Sequence, residues 1–194
     1  MLNDRTSPIT LLASRRSAKP TAMMAPGPDP QALKDILTVA MRVPDHGKLA
    51  PWRFIHVAQE DRRHFAEQLK RAYCVDRAIP TSAECAAIDQ FAHQAPTLIL
   101  VLSTPRHDRP IPSWEQELSA GAACYALLAA AHAHGFVGCW LTGWAAYSPR
   151  LVAELGYPTA RIAGFLFIGS PGEQQKERPR PAYDDHVQTW RPPT

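Results

Sequence analysis

Apolar residues in the segment 29–44 recur with a helical period. The repeat at i, i+3, i+4, i+7 and i+8 consists of Leu33, Ile36, Leu37, Ala40 and Met41. Asp29 is a preferred N-cap residue, Pro30 suits the first helical position, and Pro44 disfavours continuation of the helix. The pattern therefore predicts an amphipathic helix with one buried face.

Capping signals predict further helices on both sides of this one. Ser7-Pro8 predicts a short helix over about residues 8–14, and Ser148-Pro149 predicts another over about 149–155. Thr81-x-x-Glu84 is a capping-box pattern that predicts a helix near residues 82–93. A further helix is expected near residues 60–73, where Phe65, Leu69 and Ala72 share one face.

Short apolar runs predict four β-strands, at residues 53–57, 97–103, 136–141 and 161–168. Residues 98–102 are all apolar, which predicts a strand buried on both faces. Residues 18–28, 104–113 and 170–194 are rich in proline and predict loops and an extended C-terminal tail.

The longest predicted helix runs from Trp114 to His134, and Gly135 ends it. Residues 119–131 in its middle are small and apolar almost all round. A helix of this kind is buried within its own fold or against another subunit. We therefore expect this helix to contribute to a subunit interface.

Composition indicates a globular protein of ordinary domain size. Of the 194 residues, 45% are hydrophobic and 20% are charged. We expect one domain over residues 1–194, with residues 170–194 as its extended tail. Since G-x-G-x-x-G does not follow any predicted strand, a dinucleotide-binding Rossmann domain is disfavoured.

The charge balance narrows the classes of partner. A net charge of +3 without a long basic run argues against nucleic acid. The apolar run near residues 120–131 is too short to span a bilayer, and the N-terminus lacks a signal-peptide pattern. The four cysteines form no C-x-x-C pair and favour free, mostly buried thiols in a reducing compartment. We therefore expect a cytoplasmic protein without membrane or nucleic-acid partners.

Two short segments carry candidate binding chemistry. Arg15-Arg16-Ser17 offers forked guanidinium donors beside a hydroxyl, a combination that suits a phosphate. The alternative is that both arginines are solvated at a helix C-terminus. The second segment runs from Arg42 through His46 to Trp52 and could reach a polar, planar ligand. Taken alone, His46 could equally be a surface histidine.

Six motifs in this order resemble the FMN-dependent nitroreductase family, above all its small single-domain NAD(P)H nitroreductases. The resemblance covers about residues 8–180. Its motifs are Arg15-Arg16-Ser17, Arg42-x-Pro44-Asp45-His46, Pro51-Trp52, Trp114-Glu115-Gln116-Glu117-x-Ser119-Ala120-Gly121, Gly138-x-Trp140 and Gly164-Phe165-Leu166-Phe167-Ile168-Gly169-x-Pro171.

The resemblance implies a three-layer α+β fold, in which a central mixed β-sheet is flanked by helices. It implies an intertwined homodimer that binds two FMN molecules at the interface. It also implies a ping-pong reaction, in which NADH or NADPH passes hydride to flavin N5 and a nitroaromatic or quinone-like substrate then takes the electrons. The alternative is a flavin-binding carrier or sensor with little turnover.

The resemblance also implies roles for individual residues. Those matching Arg15, Arg16 and Ser17 hold the phosphate and flavin edge, and those matching Arg42 and His46 reach FMN from the partner subunit. A basic tail residue commonly completes the phosphate site. Further cofactor contacts carried over to this sequence are Trp140, Leu141 and Thr142 beside the ring, Ala130 toward NAD(P), and Arg178 in the tail, with Lys176 or Arg180 as alternatives.

Four positions depart from the family pattern. Ala50 stands where glutamine is frequent, Lys48 is one place later than the matching lysine, and Leu141-Thr142 replaces a frequent Arg-Ser. These positions surround the flavin in the family. We expect them to affect substrate choice and redox tuning more than FMN binding. Trp140 could also be a plain core residue, and Cys124 and Cys139 are expected to be core residues rather than nucleophiles.

Overall fold

The computed structural model describes residues 2–173 and 175–193 of the chain. Its α-helices have the bounds α1 Pro8–Ser14, α2 Pro30–Ala40, α3 Arg62–Asp76, α4 Ser82–His93, α5 Ser113–Ala133, α6 Pro149–Glu154 and α7 Tyr183–His186. Its strands are β1 Met23–Met24, β2 Trp52–Val57, β3 Thr97–Ser103, β4 Val137–Leu141 and β5 Arg161–Pro171. No helix within these described ranges is both long and apolar enough to cross a membrane.

Predicted capping residues begin the helices as expected. The Ser7 hydroxyl accepts from the Thr10 amide, and the Asp29 carboxylate accepts from the Ala32 amide. Thr81 and Glu84 form the predicted capping box, so α4 begins at Ser82. Local side-chain acceptors for the otherwise unpaired N-terminal amides explain why these boundaries agree with the sequence prediction.

The sheet is organised around β5. Strand β3 pairs with one edge of β5 and β4 with the other, β2 extends the sheet beyond β3, and β1 pairs with the last residues of β5. Each of these pairings is antiparallel, whereas a mixed sheet was expected. Strands β3 and β4 do run in the same direction. They do not pair because β5 lies between them.

Side-chain alternation on the central strands separates two hydrophobic cores. Leu98, Leu100 and Leu102 of β3 pack with α3, α4 and α6, whereas Ile99 and Val101 pack with α2 and α5. Strand β5 divides its side chains in the same way. The α+β class and the predicted layering of helices on both faces of a sheet are therefore confirmed.

Helix α5 is buried on one side only. Its large exposed apolar residues are Trp114, Leu118 and Tyr125. The nearly uniform apolar composition of α5 reflects two different surroundings, because one face packs on the sheet and the other remains uncovered within one chain.

Two segments predicted as irregular contain short regular elements. Residues 23–24 form β1, and β5 continues to Pro171, three residues beyond the predicted end. The tail also contains the single-turn α7. Pairing across the chain supplies the backbone partners of β1 and of the end of β5, and local composition cannot report it.

Candidate functional site

The segment Arg15-Arg16-Ser17 leaves α1 in an extended conformation and is tied down by its backbone. The Arg15 amide donates to the Leu11 carbonyl at 2.8 Å, closing the helix. The Arg16 amide donates to Asn3 Oδ1 at 2.8 Å. Ala18, the residue that follows this segment, is buried and donates from its amide to the Gly138 carbonyl of β4 at 3.2 Å. These bonds attach the segment to α1, to the Asn3 side chain and to β4.

A cavity of about 630 Å³ opens beside this segment. Its volume lies within the range of about 300–1,000 Å³ that is typical of small-molecule sites. It is bounded by the segment 15–20, α5, β4 and the C-terminal tail. The lining residues are Arg15, Arg16, Ser17, Ala18, Lys19, Pro20, Ala22, Tyr125, Leu128, Cys139, Trp140, Leu141, Glu173, Gln175, Lys176 and Arg178.

Arg15 carries the polar atom that most clearly indicates a ligand-binding site. Its guanidinium carbon lies 5.6 Å from the centre of the Tyr125 ring, so the aromatic face holds the side chain in place. Its Nη1 atom is buried and has no hydrogen-bond partner among the described residues. A buried, unpaired guanidinium N–H is costly unless an acceptor binds there. An anionic oxygen would satisfy it.

Arg16 joins the segment to the C-terminal tail. Its Nη1 donates to the Ser17 carbonyl at 2.9 Å and its Nε to the Lys176 carbonyl at 3.3 Å. This contact brings the tail to the cavity, where Lys176 and Arg178 both contribute to the lining. Arg180 does not line the cavity and instead pairs with Glu177 at 3.0 Å. Of the three tail cations considered, Lys176 and Arg178 therefore lie where an anion bound near Arg15 could meet them.

Trp140 and Leu141 form part of the apolar wall. Trp140 is 39% exposed, and its indole N–H donates to the Ala163 carbonyl at 2.9 Å. The ring lies so close to Gly164 of β5 that a Cβ there would overlap it. Trp140 is thus held against the sheet with part of its surface open, rather than being a plain core residue. Thr142, the next predicted residue, is exposed and faces a different cavity of about 330 Å³ near α3 and α4.

Arg42 and His46 do not reach this cavity within one chain. Both are exposed, and His46 Nδ1 lies 2.7 Å from Glu115 Oε2 at the start of α5. The Ser119 hydroxyl donates to the Pro44 carbonyl at 2.7 Å. Glu115 precedes Tyr125 by ten residues, which corresponds to about 15 Å along α5. The two predicted cationic segments are therefore attached to separated points of the same helix.

The loop that carries His46 is ordered by one carboxylate. Asp45 accepts from the amides of Leu49 at 3.1 Å and Ala50 at 2.8 Å. Lys48 and Ala50 have positive φ angles of 56° and 47°, a backbone region that residues with a Cβ adopt infrequently. The departure from the family pattern at Ala50 therefore lies in a tightly turned backbone rather than in the cavity wall.

Ala130 lies inside the molecule. It is 5% exposed and packs in the core between the sheet, α2 and α5, outside the lining of the cavity. The cysteines are only partly as expected, because Cys74 is exposed and Cys85 half-buried, while Cys124 and Cys139 are buried. Burial raises the pKa of both Cys124 and Cys139 to about 12, so these thiols stay protonated at neutral pH.

Sequence reasoning missed Tyr125 and His132. Tyr125 appeared as one aromatic residue in an apolar helix, and its exposure at 45% was the signal that only the structure supplies. His132 is 1% exposed and places Nε2 3.3 Å from the Arg16 carbonyl oxygen. No group of His, Cys, Asp and Glu within the described part of the chain is arranged to hold a metal ion.

Comparison with known proteins places this architecture in a family. The model of the family described as "Nitroreductase family" matches residues 12–170. Two relatives carry the name "Putative NAD(P)H nitroreductase": YdjA of Escherichia coli (strain K12) and a protein of Haemophilus influenzae. The first is 36% identical over 167 residues, covering 84% of this chain and 87% of the relative. The second is 39% identical over 172 residues, covering 88% and 91%.

Solved structures agree on the fold. A nitroreductase-like family protein from Bacillus cereus superimposes with a TM-score of 0.80 at 20% identity, covering 97% of this chain and 98% of that one. The FMN- and NADPH-dependent nitroreductase NfnB of a Sphigopyxis strain gives 0.74 at 20% identity, covering 95% and 99%. Because the family model spans most of the chain and the curated relatives match nearly their whole length, this chain belongs to the nitroreductase family.

Proposed function

We propose that the chain is an FMN-dependent NAD(P)H oxidoreductase that reduces nitroaromatic or quinone-like compounds. The observation that carries the proposal is the buried Nη1 of Arg15, which has no partner among the described residues and belongs to a side chain that lines the same cavity as Ser17, Lys176 and Arg178. A phosphate monoester supplies several acceptor oxygens and two negative charges, and it suits this donor set. Residues 1–194 would then act as one FMN-binding domain.

The residues present fit FMN in chemistry as well as in charge. Arg15, Ser17 and the tail cations, with Arg178 as the first choice, would hold the phosphate. The half-exposed Trp140 and Leu141 offer an apolar surface for a planar ring. The described cavity has a single cluster of phosphate donors and the sequence carries no dinucleotide fingerprint, which favours FMN over FAD.

When bound, FMN would supply the redox chemistry, namely hydride acceptance from NADH or NADPH at flavin N5 and electron delivery to the substrate in a ping-pong sequence. The chain's own residues would bind and orient the cofactor and shield its site from water. Arg15 and Arg16 neutralise anionic charge, and Trp140 and Leu141 keep water from one side of the site. The buried Cys139 thiol is protonated and serves as wall rather than as nucleophile.

A homodimer would complete the site. Arg42 and His46 are exposed and lie away from the Arg15 cavity of their own chain, while Trp114, Leu118 and Tyr125 leave an apolar face on α5. A second copy packed on this face would cover it and would bring its own Arg42 and His46 toward the first copy's cavity. Thr142 and Ala130 remain predicted contacts. Because Ala130 is buried, it would reach a nicotinamide nucleotide only after local movement of α5.

The proposal is tested by cofactor content and turnover. Purified protein is expected to be yellow, and denaturation should release FMN rather than FAD. Oxidation of NADPH or NADH should then depend on a nitroaromatic or quinone acceptor, measured without oxygen to remove the competing oxidant. Failure to bind flavin after reconstitution would overturn the proposal. Flavin binding without NAD(P)H oxidation would support the carrier or sensor alternative instead.

A further inference from the structure

His132, in the last turn of α5, occupies a position that the proposed reaction does not use. It is 1% exposed and lies beneath the Arg15-Arg16-Ser17 segment. Its Nδ1 is 2.7 Å from the Leu128 carbonyl oxygen and its Nε2 is 3.3 Å from the Arg16 carbonyl oxygen. The ring therefore connects the end of α5 to the backbone of the arginine segment.

These two contacts cannot both be hydrogen bonds of a neutral imidazole. Carbonyl oxygens only accept, and a neutral imidazole carries one N–H. Only the doubly protonated ring donates to both Leu128 and Arg16. In the neutral ring, one nitrogen lone pair faces a carbonyl oxygen, and the longer contact, to Arg16, is the one more readily given up.

Burial and the charges around His132 decide which protonation state its imidazole adopts. Burial, with a smaller contribution from the positive charge of Arg15, holds the pKa of His132 below its ordinary value, while the two carbonyl oxygens act in the opposite direction. Arg5 and Glu173 line the neighbouring cavity together with His132, and they bring one charge of each sign to that side. His134 follows on the same turn but is exposed.

We propose that His132 is a proton-linked positioning residue for the anion site, taking up a proton when an anionic ligand binds at Arg15 and then holding the Arg16 carbonyl. An anion against Arg15 cancels the charge that opposes protonation. The imidazolium then donates to both carbonyls and fixes the segment from one side, while Asn3 holds the Arg16 amide from the other. The ligand class is a phosphate monoester, and its identification as FMN rests on the proposed function.

Linkage makes the effect measurable in two ways. If binding promotes protonation, protonation must promote binding by the same factor. FMN affinity for the flavin-free protein should therefore fall as pH rises through the titration of His132 in the complex. Calorimetric titrations in buffers of different ionisation enthalpy should show proton uptake that is attributable to His132.

The informative variant is His132→Gln, because a glutamine amide can still donate to one carbonyl but does not titrate. Between pH 6 and 8, wild type should lose about threefold or more in FMN affinity beyond the change seen in the variant. Titration of the FMN phosphate itself cancels, since it is common to both proteins. His134→Gln is the matched control on the exposed side of the same turn, and it should behave as wild type.

The outcomes separate this inference from the proposed function. FMN binding with equal proton uptake and equal pH dependence in wild type and His132→Gln would overturn the role of His132 and leave the flavin site intact. If FMN does not bind at all, the proposed function fails, and inorganic phosphate becomes the probe. An NMR titration of the His132 ring should then move toward the protonated form when phosphate is added, and an unchanged titration would overturn the inference.

Discussion

Arg62 and Arg15 each have at least one guanidinium nitrogen atom that is buried from solvent, but the two side chains differ in the hydrogen-bond partners around these atoms. Arg62 is fully buried at the start of α3, and each of its three guanidinium nitrogens faces a carbonyl oxygen: Nε that of Val57 at 2.8 Å, Nη1 that of Ala92 at 2.7 Å, and Nη2 that of Pro96 at 3.3 Å. Arg15 has a buried Nη1 without a partner among the described residues.

The difference separates Arg62, a structural cation, from Arg15, the proposed binding cation. Arg62 ties the end of β2, the end of α4 and the start of β3 together by donating to a carbonyl oxygen of each. Burial lowers its pKa to about 10, which still leaves it charged at neutral pH. Arg15 lines a cavity and has a buried donor without a partner among the described residues, a cost that a bound ligand would offset.

The largest effect should come from removing the structural cation. Arg62→Met keeps much of the side-chain volume but leaves several buried carbonyls without donors. We expect the free energy of unfolding to fall by about 3–5 kcal/mol, measured by urea denaturation of the flavin-free protein. Arg63→Met, at the exposed neighbouring position, is the control. A loss below about 1 kcal/mol would mean that Arg62 is not the tie that its contacts suggest.

The same substitution at Arg15, the proposed binding cation, should give the reverse pattern. Arg15→Met removes a charged donor to the ligand, so FMN affinity should drop about tenfold to a hundredfold. The stability of the flavin-free protein should change by no more than about 1 kcal/mol, because the lost contact with Tyr125 is offset by removal of an unpaired N–H. Unchanged affinity, measured by fluorescence titration, would place the phosphate elsewhere.

Inorganic phosphate should distinguish the two sites without flavin. At a concentration ten times its dissociation constant, a ligand that binds only the folded protein stabilises it by about 1.4 kcal/mol. Thermal unfolding should show this stabilisation in wild type and in Arg62→Met, but not in Arg15→Met. Equal stabilisation of all three proteins would show that phosphate binds at another surface, and the comparison would then fail.

The smallest effect is expected for His46, whose side chain is exposed and already has a partner. Its contact with Glu115 is exposed at both side chains, 67% and 44%. Exposed pairs contribute about 0.2–1 kcal/mol. A double-mutant cycle of His46→Gln and Glu115→Gln should therefore give a coupling energy in that range. A larger coupling would indicate that the contact holds the 42–52 loop in place.

Interactions between residues close in sequence made much of the fold predictable. Ser7, Asp29 and the Thr81–Glu84 pair cap their helices through bonds to residues three places away, so the information lies within one turn of sequence. The all-apolar run of β3 required burial on both faces, whatever its neighbours were. Arg15, Arg16 and Ser17 could be proposed as an anion site because donor chemistry is a property of the residues themselves.

The order of the strands in the sheet depended on tertiary structure. The spatial separation of the two cationic segments, 15–17 and 42–52, depended on it too. Nothing local to β3 and β4 indicates that β5 lies between them, which makes the pairings antiparallel. Arg42 looked similar to Arg15 in sequence, yet it is exposed near the far end of α5 rather than at the cavity. Pairing partners and distances of this kind are set by contacts between residues far apart in the chain.

The sequence by itself determined helices α1 to α6, strands β2 to β5, the α+β class and the donor chemistry of the segment after α1. Tertiary structure alone decided which buried donor is satisfied and which is not. Arg62 donates to carbonyls up to 34 residues away, Arg15 has a buried donor without a partner among the described residues, and His132 lies against a carbonyl 116 residues away. The physical reason is that a hydrogen bond depends on a few tenths of an ångström and on burial, and both are fixed only when distant segments pack together.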